Sequence, residues 1–157
     1  MAYIILSIIS AILYQNIMEW VLHKYVLHEL GKKKNSKFSF HWKIHHNTVR
    51  KNNFYDKDYL LPFYKLNSKS SELLSLGLLW IAHFPIVFFN PIFYFTISVG
   101  TILYYQLHKK SHMNPEWGKK YLRWHYDHHM IGNQSHNWCV TFPLMDYILK
   151  TRIKSNE

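Results

Sequence analysis

The placement of charge constrains this chain more than any single motif. Leu73 to Leu107 is a run of 35 residues without Asp, Glu, Lys or Arg, and residues 1 to 18 carry no charged side chain either. Roughly 20 mostly apolar residues cross the hydrocarbon of a bilayer, so Tyr3 to Leu22, interrupted only by Glu19, has the length of one span. The second block is divided by Asn90-Pro91 and reads as a helical hairpin with two short arms, Pro85 being placed to kink the first. A cleaved signal peptide would show a basic leading region and a small-residue cleavage pattern. Neither is present, and residues 3–22 read as a retained helix. The competing reading of the hairpin is a buried pair in a soluble all-helical core. The mean hydropathy of −0.21 averages charge-free and strongly charged material and does not choose between the two.

The basic residues do choose. All 19 Lys and Arg lie between Lys24 and Lys69 (eleven) or between Lys109 and Lys154 (eight), outside both apolar blocks. One crossing followed by a hairpin brings both basic segments to the same face, which the positive-inside tendency makes cytoplasmic. The net charge of +10 is then accounted for by anionic headgroups and needs no nucleic acid. The expected fold class is all-α, an integral membrane helical bundle with a cytosolic histidine-rich helical cap. The length of 157 residues suits a single domain, with apolar spans at about 3–22 and 73–107 and histidine-rich regions at 23–46 and 108–136.

Histidine is the compositional outlier, at 12 residues, and ten of the twelve fall in four groups. His23 and His28 occur in HKYVLH, His41, His45 and His46 in HWKIHH, His108 and His112 in HKKSH, and His125, His128 and His129 in HYDHH. The first group directly follows the first span and the third directly follows the hairpin, so the groups collect at one level of one membrane face. Residues three or four apart share an α-helical face. His41 with His45, His108 with His112, and His125 with His128 or His129 can therefore each aim two imidazoles at one point. His23 and His28, five apart, lie about 140° round an ideal α-helix, and need a frayed helix end or two different metal partners. The doublets His45-His46 and His128-His129 suit one ligand for each of two neighbouring ions. Ten ligands overfill one ion and match two, with about five nitrogens each. The one cysteine, Cys139, rules out an intramolecular disulfide and a four-cysteine metal site and reads as a packing residue. Imidazole alone does not choose among zinc, copper, iron and nickel. A closed structural zinc site needs only four ligands, and a pair of redox-active irons gives so large a cluster beside a bilayer a purpose.

HKYVLH, HWKIHH, HKKSH and HYDHH, in that order beside these apolar blocks, resemble the histidine boxes of the fatty acid hydroxylase/sterol desaturase superfamily of membrane di-iron enzymes. The tail from Trp138 to Thr151, WCVTFPLMDYILKT, is similar to the segment that follows the final box there. The resemblance covers roughly residues 19 to 151, and the length is that of short bacterial relatives and small carotene hydroxylases. The second box departs from the common HxxHH: it reads HxxxHH, one residue longer. The resemblance implies oxygen-dependent hydroxylation of a fatty acyl, sterol or carotenoid lipid, with dioxygen as co-substrate. Two iron ions would be held by the ten histidines, zinc being possible in purified material. Electrons would come from a cytochrome b5-like or ferredoxin-like donor with its reductase. Desaturation is the alternative outcome, and non-enzymatic metal binding or transport the alternative class. Transport would call for more polar residues within the spans than His83 and a few amides and hydroxyls.

Around the boxes, Glu19, Glu29, Asp127 and Asp146 are placed to accept the second N–H of a ligating imidazole, Asp127 being the preferred one and Glu29 equally a solvated carboxylate. His136 and Asn137 are candidates for an extra ligand and its support. Trp20, Trp42, Tyr104, Tyr105 and Trp124 are candidates for lining a substrate channel, packing at the membrane boundary being the ordinary role of such rings. His83, mid-hairpin, reads as a packed or helix-bonding residue.

Overall fold

A computed structural model describes residues 1–155 apart from Phe63 and Leu66. Helix α1 (Ala2–Val21) runs without an α-helical stop into a π-helix at Leu22–Leu30. A second π-helix at Phe40–His45 leads directly into α2 (His46–Lys51). Helix α3 (Ser68–Ala82) starts at a capping box in which the Asn67 side chain accepts from the Ser70 N–H and the Ser70 hydroxyl accepts from the Asn67 N–H. The α-helix ends at Ala82, and a 3₁₀ turn at Phe84–Phe88 carries Pro85. Helix α4 (Pro91–Met113) opens with Asn90 as its cap, accepting from the Phe93 N–H, and proline at its first position. The expected hairpin, split at Asn90-Pro91, is therefore present. Short helices α5 (Pro115–Tyr121), α6 (Arg123–Met130) and α7 (Leu144–Ile148) follow. No strand occurs among the described residues.

Burial is distributed as in a membrane protein. The segments Ala2–Leu30 and Ser68–Phe88 are long and apolar enough to cross a bilayer. Leu6, Leu74, Leu78, Phe88, Phe95, Val99 and Ile102 are all exposed, an apolar surface that water would not tolerate. Among the described residues, 21 polar or charged side chains are buried against 11 apolar ones, and eleven of the 21 are histidine. The centre of this molecule is thus a polar cluster, and the reading as a soluble bundle with a buried apolar hairpin does not hold.

Two sets of contacts hold that centre. Ala11 of α1 packs against Tyr94 and Ile97 of α4, and Asn90 donates to the Ser7 hydroxyl at 3.0 Å. At the other end of α1, polar side chains bind the segment after residue 137. Asn16 donates to the Phe142 carbonyl and accepts from the Met145 N–H, and Glu19 accepts from the backbone N–H groups of Val140 and Thr141 and from the Thr141 hydroxyl. Trp20 packs on Trp138 and Cys139 and donates to Thr151. Asp146 then accepts the N–H groups of Trp138 and Cys139. This closes the strap formed by the WCVTFPLMD motif.

Candidate metal centre

The ten box histidines converge. His23, His28, His41, His46 and His128 each offer a ring nitrogen within 4.8 Å of all the others, and His45, His108, His112 and His129 do the same. The two groups abut, because consecutive His45 and His46 fall into different groups, as do His128 and His129, and the His46 and His129 ring centroids are 4.2 Å apart. His125 adjoins the second group, with its Nε2 3.0 Å from His112 Nε2.

Helix type explains the assignment of each ring. In α4, His108 and His112 are four apart and share the second group, as α-helical spacing predicts. His23 and His28 also share a group although five apart, which needs no frayed end: a π-helix bonds i to i+5, and residues five apart come round to one face. The second π-helix acts likewise on the longer box. It puts His41 and His46, five apart, in the first group with Nε2 atoms 3.1 Å apart. The expected pairing of His41 with His45 is overturned for the same reason, since His45 points into the second group. In α6, His125 and His128 are also separated, with His128 in the first group.

The hydrogen bonds on the outer side of each ring test whether a metal fits. His23 Nδ1 lies 2.6 Å from the Trp138 carbonyl oxygen, His112 Nδ1 3.0 Å from that of Phe54, and His128 Nδ1 2.5 Å from that of His136. His45 Nδ1 is 2.8 Å from the Asp56 carboxylate and His108 Nδ1 2.6 Å from that of Glu72. Carbonyls and carboxylates only accept, so Nδ1 carries the proton in all five rings and Nε2 presents a lone pair inward. Inside the first group the Nε2 to Nε2 distances are 2.9 Å (His23 to His41), 3.1 Å (His28 to His46) and 3.3 Å (His128 to His46). Two ligands bound at 2.0–2.1 Å to one ion lie about 2.9–3.4 Å apart in octahedral to tetrahedral geometry. His45 Nε2, His108 Nε2 and both nitrogens of His129 are buried with no hydrogen-bond partner. Ring nitrogens left without partners in a dry interior are costly unless a cation stands among them, and this donor set fits metal ions.

Electrostatics point the same way. Burial, and next the neighbouring imidazoles, hold His41, His46, His125 and His129 well below the ordinary imidazole range, and burial and His23 do the same to His128. Burial also lowers His45, partly offset by its bond to Asp56. Rings kept neutral near pH 7 are ready to ligate without first losing a proton.

The supporting carboxylates are not those expected. Asp127 pairs with Arg123 at 2.9 Å and Arg152 at 3.3 Å. Glu19 and Asp146 bind the strap, and Glu29 is exposed. The carboxylates that hydrogen-bond box histidines are Asp56 and Glu72, with Tyr59 donating to Glu72 at 2.6 Å and stacking on His112. Glu72 had a legible signal, because residues 72 and 108 are equidistant from the hairpin break at Asn90. Asp56, in the loop before the hairpin, had none. His136 supports His128 through its carbonyl, and its own ring joins neither group. Asn137 accepts from Arg152 and the Ile153 N–H and fixes the chain end. Burial, then the Asp146 charge, pushes the Cys139 thiol far up, consistent with a packing role.

A cavity of about 500 Å³ lies between α1, α3 and α4 and reaches His23, His41 and Glu72. Most of its wall is apolar, including Met18, Leu22, Leu76, Leu79 and Ile97. Of the five aromatic channel candidates, only Tyr104 lines it. Trp20 is packed behind the strap, Trp42 lies against the His28 and His46 rings, Tyr105 is beside Tyr59, and Trp124 donates to the Val140 carbonyl. None of these four rings lines the cavity, and each has packing or hydrogen-bond partners elsewhere.

With a membrane-length pair of helices, a double histidine cluster and an adjoining apolar cavity described, the family comparison is direct. The fatty acid hydroxylase family model matches residues 8–151, nearly the whole chain, and the protein belongs to that family, within the fatty acid hydroxylase/sterol desaturase superfamily. No curated protein and no solved structure is similar enough to match.

Proposed function

We propose that the protein is an oxygen-dependent lipid hydroxylase with one iron ion in each histidine group, His125 completing the second. The observation that carries this reading is the junction of two imidazole groups, their lone pairs turned inward, with an apolar cavity that touches the first of them. Bound iron would supply reductive activation of dioxygen and removal of hydrogen from an unactivated C–H bond. The chain's own residues do the rest. Apolar walls from α1, α3 and α4 hold an acyl or isoprenoid chain against His23 and His41 and keep out water that would quench the oxidant. Asp56 and Glu72 fix the tautomers of His45 and His108, and backbone carbonyls fix those of His23, His112 and His128. Electrons come from a separate cytochrome b5-like or ferredoxin-like donor with its reductase, docking on the basic face, which lies on the cytoplasmic side.

The test is metal analysis of anaerobically purified protein, together with lipid mass spectra from expressing and non-expressing hosts grown under labelled dioxygen. Two irons per chain and a lipid carrying one added oxygen from dioxygen are expected. A lipid that instead loses two hydrogens would replace hydroxylation by desaturation, and stoichiometric zinc with no turnover would remove the oxidase reading altogether.

A further inference from the structure

Several polar groups in the cavity belong neither to the histidine cluster nor to the strap, and among them one side-chain pair joins α1 to the end of α3. Tyr14 of α1 and His83, just past the end of α3, both line the cavity, and the Tyr14 hydroxyl lies 2.6 Å from His83 Nε2. Tyr14 is nine residues before His23 along the continuous run of α1 into the π-helix, roughly 13 Å along the axis at a rise of about 1.5 Å per residue. The pair therefore stands in the membrane-spanning part of the bundle, where unneeded polar groups are costly.

The proton positions in this pair are determined. His83 Nδ1 is 2.7 Å from the Leu79 carbonyl oxygen, which only accepts, so Nδ1 donates. In the neutral ring Nε2 is then an acceptor and takes the Tyr14 O–H. The phenol ring also packs against Phe93, at 5.6 Å between centroids. The capacity left over is on the Tyr14 oxygen, and it is acceptor capacity. A ligand group that completes it must be a donor.

We propose that the Tyr14 hydroxyl oxygen, fixed by His83, accepts a hydrogen bond from a hydroxyl group on the lipid in this cavity. The substrate is then a lipid alcohol whose hydroxyl sits at the level of Tyr14, roughly 13 Å along the helix axis from His23, a span of roughly ten carbon–carbon bonds in an extended chain. Ethers, ketones and carboxylates offer only acceptors and meet the same oxygen lone pairs unfavourably. This deepens the hydroxylase reading and rests on the cavity being its lipid site.

The full-length protein in detergent, without added electron donor, is tested by competition against tritiated 1-dodecanol, using unlabelled 1-dodecanol and dodecyl methyl ether. The alcohol should compete roughly three- to tenfold better than the ether, the gain of one neutral hydrogen bond. Tyr14→Phe, which keeps the ring and its packing, should shrink that preference to less than twofold. Equal competition by alcohol and ether on the unaltered protein overturns the proposal, and so does a preference that survives Tyr14→Phe. The first comparison needs no variant and stands even if the substitution prevents folding. Because nothing in the assay turns over, a protein that prefers the alcohol yet oxidises no lipid loses only the hydroxylase reading. One that oxidises lipids without preferring alcohols loses only this subsite.

Discussion

The ligand segments before residue 47 are wound differently from those after residue 107. The earlier pair, His23 with His28 and His41 with His46, sit five apart on π-helices, whereas His108 with His112 sit four apart on an ordinary α-helix. Both devices bring two imidazoles to one point, and the spacing in the sequence reports the winding. The π-helix is rare and its use in short runs clusters at functional sites, so two such segments flanking one loop mark where bringing the histidines together overrides the ordinary backbone preference. The extra residue in HxxxHH is absorbed by this winding and does not displace His41 from the centre.

Substitutions that take one histidine from each kind of segment give the largest expected effect. His46→Ala should strip the first group and His112→Ala the second, each lowering bound metal from two ions per chain to one and lowering oxidation more than a hundredfold. Metal analysis that finds both ions lost in both variants would break the division into two groups. Deletions sharpen the contrast in winding. Removing Ile44 turns the second box into HWKHH and lets the π-helix relax to α, so the variant should keep at least half its metal. Removing Lys110 turns His112 and everything after it by about 100° relative to His108, in an α-helix with no slack to absorb the change, and should empty the second group.

Smaller effects belong to the groups behind the rings. Asp56→Asn and Glu72→Gln should each weaken metal affinity by roughly 10–100-fold, the range for lost partners of ligating histidines, as read by chelator competition. Acid stability of the chelated, metal-free protein follows from the depressed histidines. His41, His46, His125, His128 and His129 bind protons less readily folded than unfolded, where the ordinary value is 6.5. Their contribution is fully present above about pH 6.5 and is lost as pH falls below it, because the unfolded chain then binds more protons. Thermal midpoints by circular dichroism should fall between pH 7.5 and pH 5, and a midpoint that rises over that range contradicts the buried, neutral cluster.

The sequence made the spans, the hairpin break and the identity of the ten histidines readable, because charge exclusion and histidine spacing are local patterns. The grouping was only partly readable. The doublets His45-His46 and His128-His129 divide as their adjacency implied, but the pairing of His41 depends on a π-helix, which hydrophobic periodicity does not announce. The second tier was mostly hidden, since Asp56 and Glu72 lie 11 and 36 residues from the histidines they bind, and the nearer acids Glu19 and Asp127 are taken up by the strap and by arginines. Proximity along the chain is a poor guide wherever a loop or a hairpin return brings the partner.

The strap has a consequence for the order of events during synthesis. The carbonyl that sets the proton on His23 belongs to Trp138, and the one that sets His128 belongs to His136. His23, just past the amino-terminal helix, therefore emerges from the ribosome without the carbonyl that orients it and waits until residue 138 has been made. A nascent chain that stops short of this segment leaves these two rings without the carbonyls that orient them, so the first histidine group is finished only after the strap has folded back onto α1.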